Sequence, residues 1–126
     1  MILDMHHVQL AMPQGQEPAA RAFYGDVLGL AEVVKPDPLR ARGGVWFEQG
    51  ALRLHLGVET PFMPARKAHP AFRVASLPAM VERLDDRDVK WRMDIDLPGL
   101  RRVYVDDPFG NRIELLETDP DGADDY

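Results

Sequence analysis

Two imidazoles and a carboxylate, His7, His69 and Glu114, stand in three separate segments that each read as β-strand. Neutral histidines with one carboxylate can hold a divalent transition metal on one side and leave its remaining positions to water or substrate. The chain has no cysteine, so there is no thiolate nucleophile and no disulfide framework, and a metal here has only His, Asp, Glu and water for ligands. Glu114 lies between the apolar Ile113 and Leu115. A carboxylate in that setting is costly if unpaired, which favours a ligand or an ion-pair role. His6 points away from the face of His7 and reads as an ordinary histidine.

The elements that must position these groups come in a repeated order. Residues 5–12 alternate as a strand until Pro13 to Gly15 breaks them, and Ala19, Ala22, Phe23 and Val27 then fall at helical spacing before Gly29. Strands are expected at 30–35, 44–48 and 51–58, the last two joined by the turn at Gln49-Gly50. A Pro-rich stretch, 59–67, reads as a linker. The same pattern then recurs. Residues 68–74 are strand-like, Ser76 is a plausible N-cap, Leu77, Met80, Val81 and Leu84 form one helical face, and strands follow at 89–93, 100–106 and 111–117. The fold class is therefore α+β, with two βαβββ units at about 4–58 and 68–117 in a single domain over 1–117. The helical face is plain core, and the turn from Asp107 to Asn111 has the Pro and Gly of a tight reversal. His7 and His69 occupy nearly equivalent places in the two units. Alternation puts His7 on a face with Gln9, His69 with Ala71 and Arg73, and Glu114 with Arg112 and Leu116.

Bulk properties exclude several classes. The 126 residues are 45% hydrophobic and 29% charged, which suits one globular domain. A net charge of −6 argues against a nucleic-acid partner, since binding phosphates needs a basic surface. No apolar run approaches the roughly 18 to 20 residues of a membrane helix, and the start lacks a signal peptide's pattern, so a cytoplasmic location is the expectation. Asp119, Asp121, Asp124 and Asp125, with Pro120 and Gly122, form an acidic tail at 118–126 that is expected to be disordered.

Three segments, His7 to Met12, Ala22 to Leu30 (Ala-Phe-Tyr-Gly-Asp-Val-Leu-Gly-Leu) and Asp107 to Glu114 (Asp-Pro-Phe-Gly-Asn-Arg-Ile-Glu), resemble the vicinal oxygen chelate superfamily. That superfamily includes glyoxalase I, fosfomycin-resistance transferases, extradiol dioxygenases, methylmalonyl-CoA epimerase and bleomycin-resistance proteins. The resemblance covers about residues 4 to 117. It implies a glyoxalase-like fold, with strands forming a curved mixed sheet around a cleft, and a homodimer. It also places His7, His69 and Glu114 at the three metal-ligand positions, for Ni, Zn, Mn, Co or Fe. Glyoxalase I-like and epimerase-like relatives carry a fourth ligand on the strand that here runs from Ala51 to Gly57. His55 lies there, as a ligand or as a substrate contact or general acid/base.

The implied chemistry is that of a lyase or isomerase. A divalent cation would act as a Lewis acid on a small oxygen-chelating substrate, stabilising an enolate or alkoxide, with Glu114 or His55 moving the proton. Arg53, on the His55 face, Arg73 and Tyr104 are candidate substrate contacts; Arg102 and Arg112 are either similar contacts or surface charge. Two alternatives stay open. One is a metal-free small-molecule binding protein of the bleomycin-resistance type, with Trp46, Phe47, Phe72 and Trp91 as candidate lining. The other is an Fe(II) dioxygenase.

Overall fold

The computed structural model describes residues 1–95 and 100–118. The expected acidic tail lies outside the described residues from 119 onward, as do positions 96–99. The chain divides into two compact units, one of residues 1–65 with 108–110, the other of 66–107 with 111 onward.

In the first unit β1 (Val8–Met12) leads into α1 (Glu17–Ala20), whose path continues with π-helical bonding over Arg21–Val27. Pro18 suits that first turn because its missing N–H would have had no helical partner. Leu28 N donates to Phe23 O at 2.9 Å, the i to i−5 pattern, and Gly29 ends the helix at φ +79°. Then come β2 (Ala31–Val33), a short α2 (Asp37–Arg40), β3 (Val45–Gln49) and β4 (Leu52–Val58). The sheet order is β1-β4-β3-β2, with β1 parallel to β4 and the other pairs antiparallel. Strict alternation sends Leu10, Met12, Val45, Phe47, Leu54 and Leu56 to one face, where they are buried with Phe23, Tyr24 and Val27 of the helix. Tyr24 and Phe47 meet at a ring separation of 5.8 Å. Each such side chain contributes roughly 1.5–3 kcal/mol on burial. Gly44, at φ +84°, is fixed as glycine, since a Cβ there would stand 2.2 Å from Leu56 O.

The second unit repeats the scheme. It comprises β5 (Ala71–Arg73), α3 (Leu77–Asp86), β6 (Trp91–Met93), β7 (Leu100–Asp106) and β8 (Arg112–Thr118), in the order β5-β8-β7-β6. Ser76 caps α3 by accepting from Ala79 N at 3.2 Å, and Trp91 Nε1 donates to Asp85 Oδ1 at 2.8 Å, tying β6 to the helix. Leu77, Leu84, Val103, Val105, Ile113 and Leu115 form the core. The architecture is α+β with two four-stranded mixed sheets, one per unit.

Two expectations need correction. His7 and His69 both precede their strands instead of lying within them, because β1 begins at Val8 and β5 at Ala71. For His69 the reason is Pro70, which has no N–H to give a ladder; its carbonyl still accepts from Glu114 N at 3.0 Å. The stretch between β2 and β3, where no element is expected from the sequence, contains α2, which the Asp37-Pro38 start favours.

Candidate functional site

Each sheet has a second face that is not used for core, and the candidate residues lie there. In the first unit the register sets Gln9 opposite His55 and Trp46 opposite His55, so three neighbouring strands present these side chains together. The His55 ring is stacked on Trp46 (3.8 Å between centroids, 3° between planes) and, on its other side, on His7 (4.4 Å, 22°). His55 is buried and His7 exposed. His6 Nδ1 lies 3.0 Å from His7 Nδ1. Burial, followed by the nearby His7 and His6 imidazoles, pushes the His55 pKa below that of an ordinary histidine. The ring therefore stays neutral at pH 7, as a ligand or a general base requires. Gly57 leaves room for Gln9, whose Nε2 would stand 2.5 Å from any Cβ added there. Beside this face is a cavity of about 260 Å³ lined in part by Gln9, Lys35, Arg42, Trp46 and Gly57. Arg53 shares the face but leans toward Glu48, with Nε 3.9 Å from Oε1.

The second unit places His69 and Glu114 in contact. Ala71 and Tyr104 lie opposite Glu114 in register. Glu114 is only 3% exposed. Its Oε1 is 3.0 Å from His69 Nε2 and 3.7 Å from Arg102 Nη1. The turn before β8 fixes this register. Asn111 N and Nδ2 donate to the two Asp107 carboxylate oxygens at 2.8 and 2.9 Å, and Gly110 takes φ +94°. The His69 ring meets Tyr104 edge-on at 5.4 Å. Burial, then the Glu114 charge, raises the Tyr104 phenol above the usual range, so it stays protonated as a donor. Arg73 lies opposite Leu116, two register steps beyond the Ala71–Glu114 pair and on the same face.

The two faces are registered copies. Two residues after His7 comes Gln9, opposite His55, which faces Trp46; two residues after His69 comes Ala71, opposite Glu114, which faces Tyr104. His55 and Glu114 thus hold equivalent positions, as do Trp46 and Tyr104. The repeat settles His55's register, which sequence spacing leaves open.

The donor chemistry of the second unit fits a cation. His69 Nδ1 is 2.8 Å from Lys67 O; a carbonyl only accepts, so Nδ1 carries the hydrogen. In the neutral ring the Nε2 lone pair then faces a carboxylate oxygen. Such a contact needs a proton or a metal ion between the two atoms. The 3.0 Å spacing is that of a hydrogen bond, and the two groups are of the types that would hold a divalent cation. Within either unit, among the described residues, no three His, Asp or Glu side chains gather into a metal-holding group. Sequence reasoning named Trp46 only as candidate lining and missed its stack on His55, although Trp46 alternates with Glu48 and not with Val45 and Phe47. It also missed Arg92, which lies opposite Tyr104, and the Lys35 and Arg42 rim, whose loop carries no periodic signal.

The chain is 45% identical to a glyoxalase family protein from Bacillus anthracis, with a TM-score of 0.91 over 94% of this chain and 97% of that one. It is 25% identical to lactoylglutathione lyase from Agrobacterium tumefaciens, with a TM-score of 0.69 over 90% and 92%. An antibiotic-binding protein from Streptomyces sp. CB03234 shares the fold at 22% identity, with a TM-score of 0.72 over 94% and 99%. Among curated proteins none matches. The family model described as Glyoxalase/Bleomycin resistance protein/Dioxygenase superfamily matches residues 5–115, and the chain belongs to that superfamily.

Proposed function

We propose that this protein is a metal-dependent lyase or isomerase of the glyoxalase type, acting on a small substrate with two neighbouring oxygens. The observation that carries the reading is the His69 Nε2–Glu114 Oε1 approach, with Nδ1 turned to Lys67 O. A backbone acceptor on the far ring nitrogen fixes the tautomer and aims the other lone pair, which is how ligand histidines are oriented. His69 and Glu114 supply two donors, and the resemblance to metal-using relatives assigns His7 as the third. A divalent ion of the Ni, Zn, Mn, Co or Fe group would lend Lewis acidity to the substrate oxygens, favouring proton removal beside a carbonyl. His55, kept neutral between Trp46 and His7, accepts that proton, and Tyr104 donates a hydrogen bond toward the substrate. Arg53 and Arg73 stand as outlying contacts to the substrate. Members of this superfamily bind small molecules and often dimerise. We extend the homodimer to this chain, with the exposed Ile2, Leu3 and Met5 as apolar surface for a second copy. No described helix is long and apolar enough to cross a membrane, and we place the protein in the cytoplasm.

One observation favours a second reading, a metal-free binding protein. The Trp46–His55–His7 stack is a flat aromatic surface beside a cavity, suited to a planar ligand. Metal analysis of protein purified without added metal, followed by titration, separates the two. The enzyme reading expects stoichiometric metal, abolished by His69→Ala and Glu114→Gln and weakened by His7→Ala. Absence of binding at every metal tested would leave the second reading standing. His55→Gln should keep the metal if His55 is the base and lose affinity if it is a ligand.

A further inference from the structure

The open face of the second sheet carries more positive charge than its own residues use. Three guanidinium groups surround the Tyr104 ring, with Arg92, Arg102 and Arg112 at 5.7, 5.9 and 5.2 Å from its centroid. Two of them have partners. Arg92 Nη2 lies 3.1 Å from Asp106 Oδ1. Arg102 reaches Asp94 Oδ2 at 3.3 Å, Ile95 O at 3.2 Å and, more distantly, Glu114. Arg112 makes no ion pair among the described residues, and its Nε is buried without a hydrogen-bond partner there. The carboxylate opposite it in register, Asp106, is engaged by Arg92.

A buried donor on a permanent cation is costly when unmet, and a ring face satisfies only part of it. Arginine presents a planar fork that matches two oxygens of a carboxylate, phosphate or phosphonate. Arg112 also shares Glu114's face two residues away, about 7 Å along the strand. That is the span of a molecule of a few heavy atoms.

We propose that Arg112 binds the anionic end of the substrate, so that the substrate class is a small oxyanion: a carboxylate, phosphate or phosphonate that also bears the oxygens handled beside His69 and Glu114. This names the substrate class for the reading above and rests on it only for the role of His69 and Glu114. Arg102 and Arg92, held by acidic partners, stiffen the wall around the Tyr104 ring. Arg112 is the group left for the ligand.

The test is a titration of chelator-stripped protein with inorganic phosphate and, in parallel, with acetate, followed by ¹H–¹⁵N NMR of arginine Nε–H groups. One Nε–H resonance, absent from Arg112→Lys, should shift saturably with at least one anion, and the anion that saturates first identifies the source. In Arg112→Lys, which keeps the charge and loses the fork, the midpoint read at the Tyr104 amide should rise about tenfold. In Arg92→Gln it should move less than about twofold, because that arginine is already paired. Lack of saturable shift with either anion, or an unchanged midpoint in Arg112→Lys, overturns the proposal. Because metal is absent throughout, anion binding in a protein that takes up no metal rejects the metalloenzyme reading alone. Metal uptake without anion binding rejects only this one.

Discussion

The two units share a scaffold and differ in what they display on it. Both run βαβββ with the first strand parallel to the last, and both bury apolar side chains against a helix. At equivalent register positions one carries His55 against Trp46, and the other Glu114 against Tyr104. The first open face is a stack of flat rings around a neutral imidazole. The second is a buried carboxylate walled by arginines. The closed faces are alike because packing there tolerates only apolar volume, while the open faces differ because packing restricts their side chains less.

That contrast is most strongly tested by the closed faces. Phe47→Ala in the first unit should cost about 3–5 kcal/mol and Leu115→Ala in the second about 2–5 kcal/mol, measured by urea unfolding, since each empties a fully buried position. A small cost at either would mean that the two cores are not equivalent. Next in size are the open faces under metal titration. Glu114→Gln should lower affinity by about 100-fold or more, because it removes a charged donor, whereas its register partner's substitution, His55→Gln, should lower it far less if His55 serves as the base. Equal losses would make the two positions chemically alike as well as structurally alike.

The pH dependence of metal-free protein sharpens the comparison further. The folded pKa of His55 lies below the unfolded value of about 6.5. Above about pH 6.5 its contribution is fully present. As pH falls from there toward the folded pKa, the unfolded chain binds the proton first and stability is lost. The urea midpoint should thus fall from pH 7.5 to pH 5.5 more steeply in wild type than in His55→Gln, and parallel curves would show that the ring is not desolvated. The smallest effect is expected for Trp46→Leu, which keeps apolar bulk and loses the stack, at about 0.5–1.5 kcal/mol by the same unfolding assay.

Much of the candidate site is legible in the amino-acid sequence. His69 and Glu114 stand out because both are metal-ligand types and a carboxylate between apolar strand residues needs a partner, and they do meet. The faces of Arg53, Tyr104 and Arg112 follow from alternation alone. The start of β5 is not legible there, because Pro70 reshapes pairing through a missing N–H whose effect depends on which strand lies beside it. Arg92 gives no sign in the sequence because its importance comes from facing Tyr104 from a strand two away from that of Glu114, and Lys35 and Arg42 give none because loops carry no period.

What the sequence determined by itself is the duplicated order of elements, the apolar faces and the residue types capable of holding a metal, since these follow from local periodicity and side-chain chemistry. The tertiary structure alone decided the register that makes His55 the counterpart of Glu114, the burial that lowers the His55 pKa, and the packing that leaves Arg112 Nε unmet among the described residues. Those depend on which strands pair and on how much water each side chain loses, and both are set by contacts between residues distant along the chain.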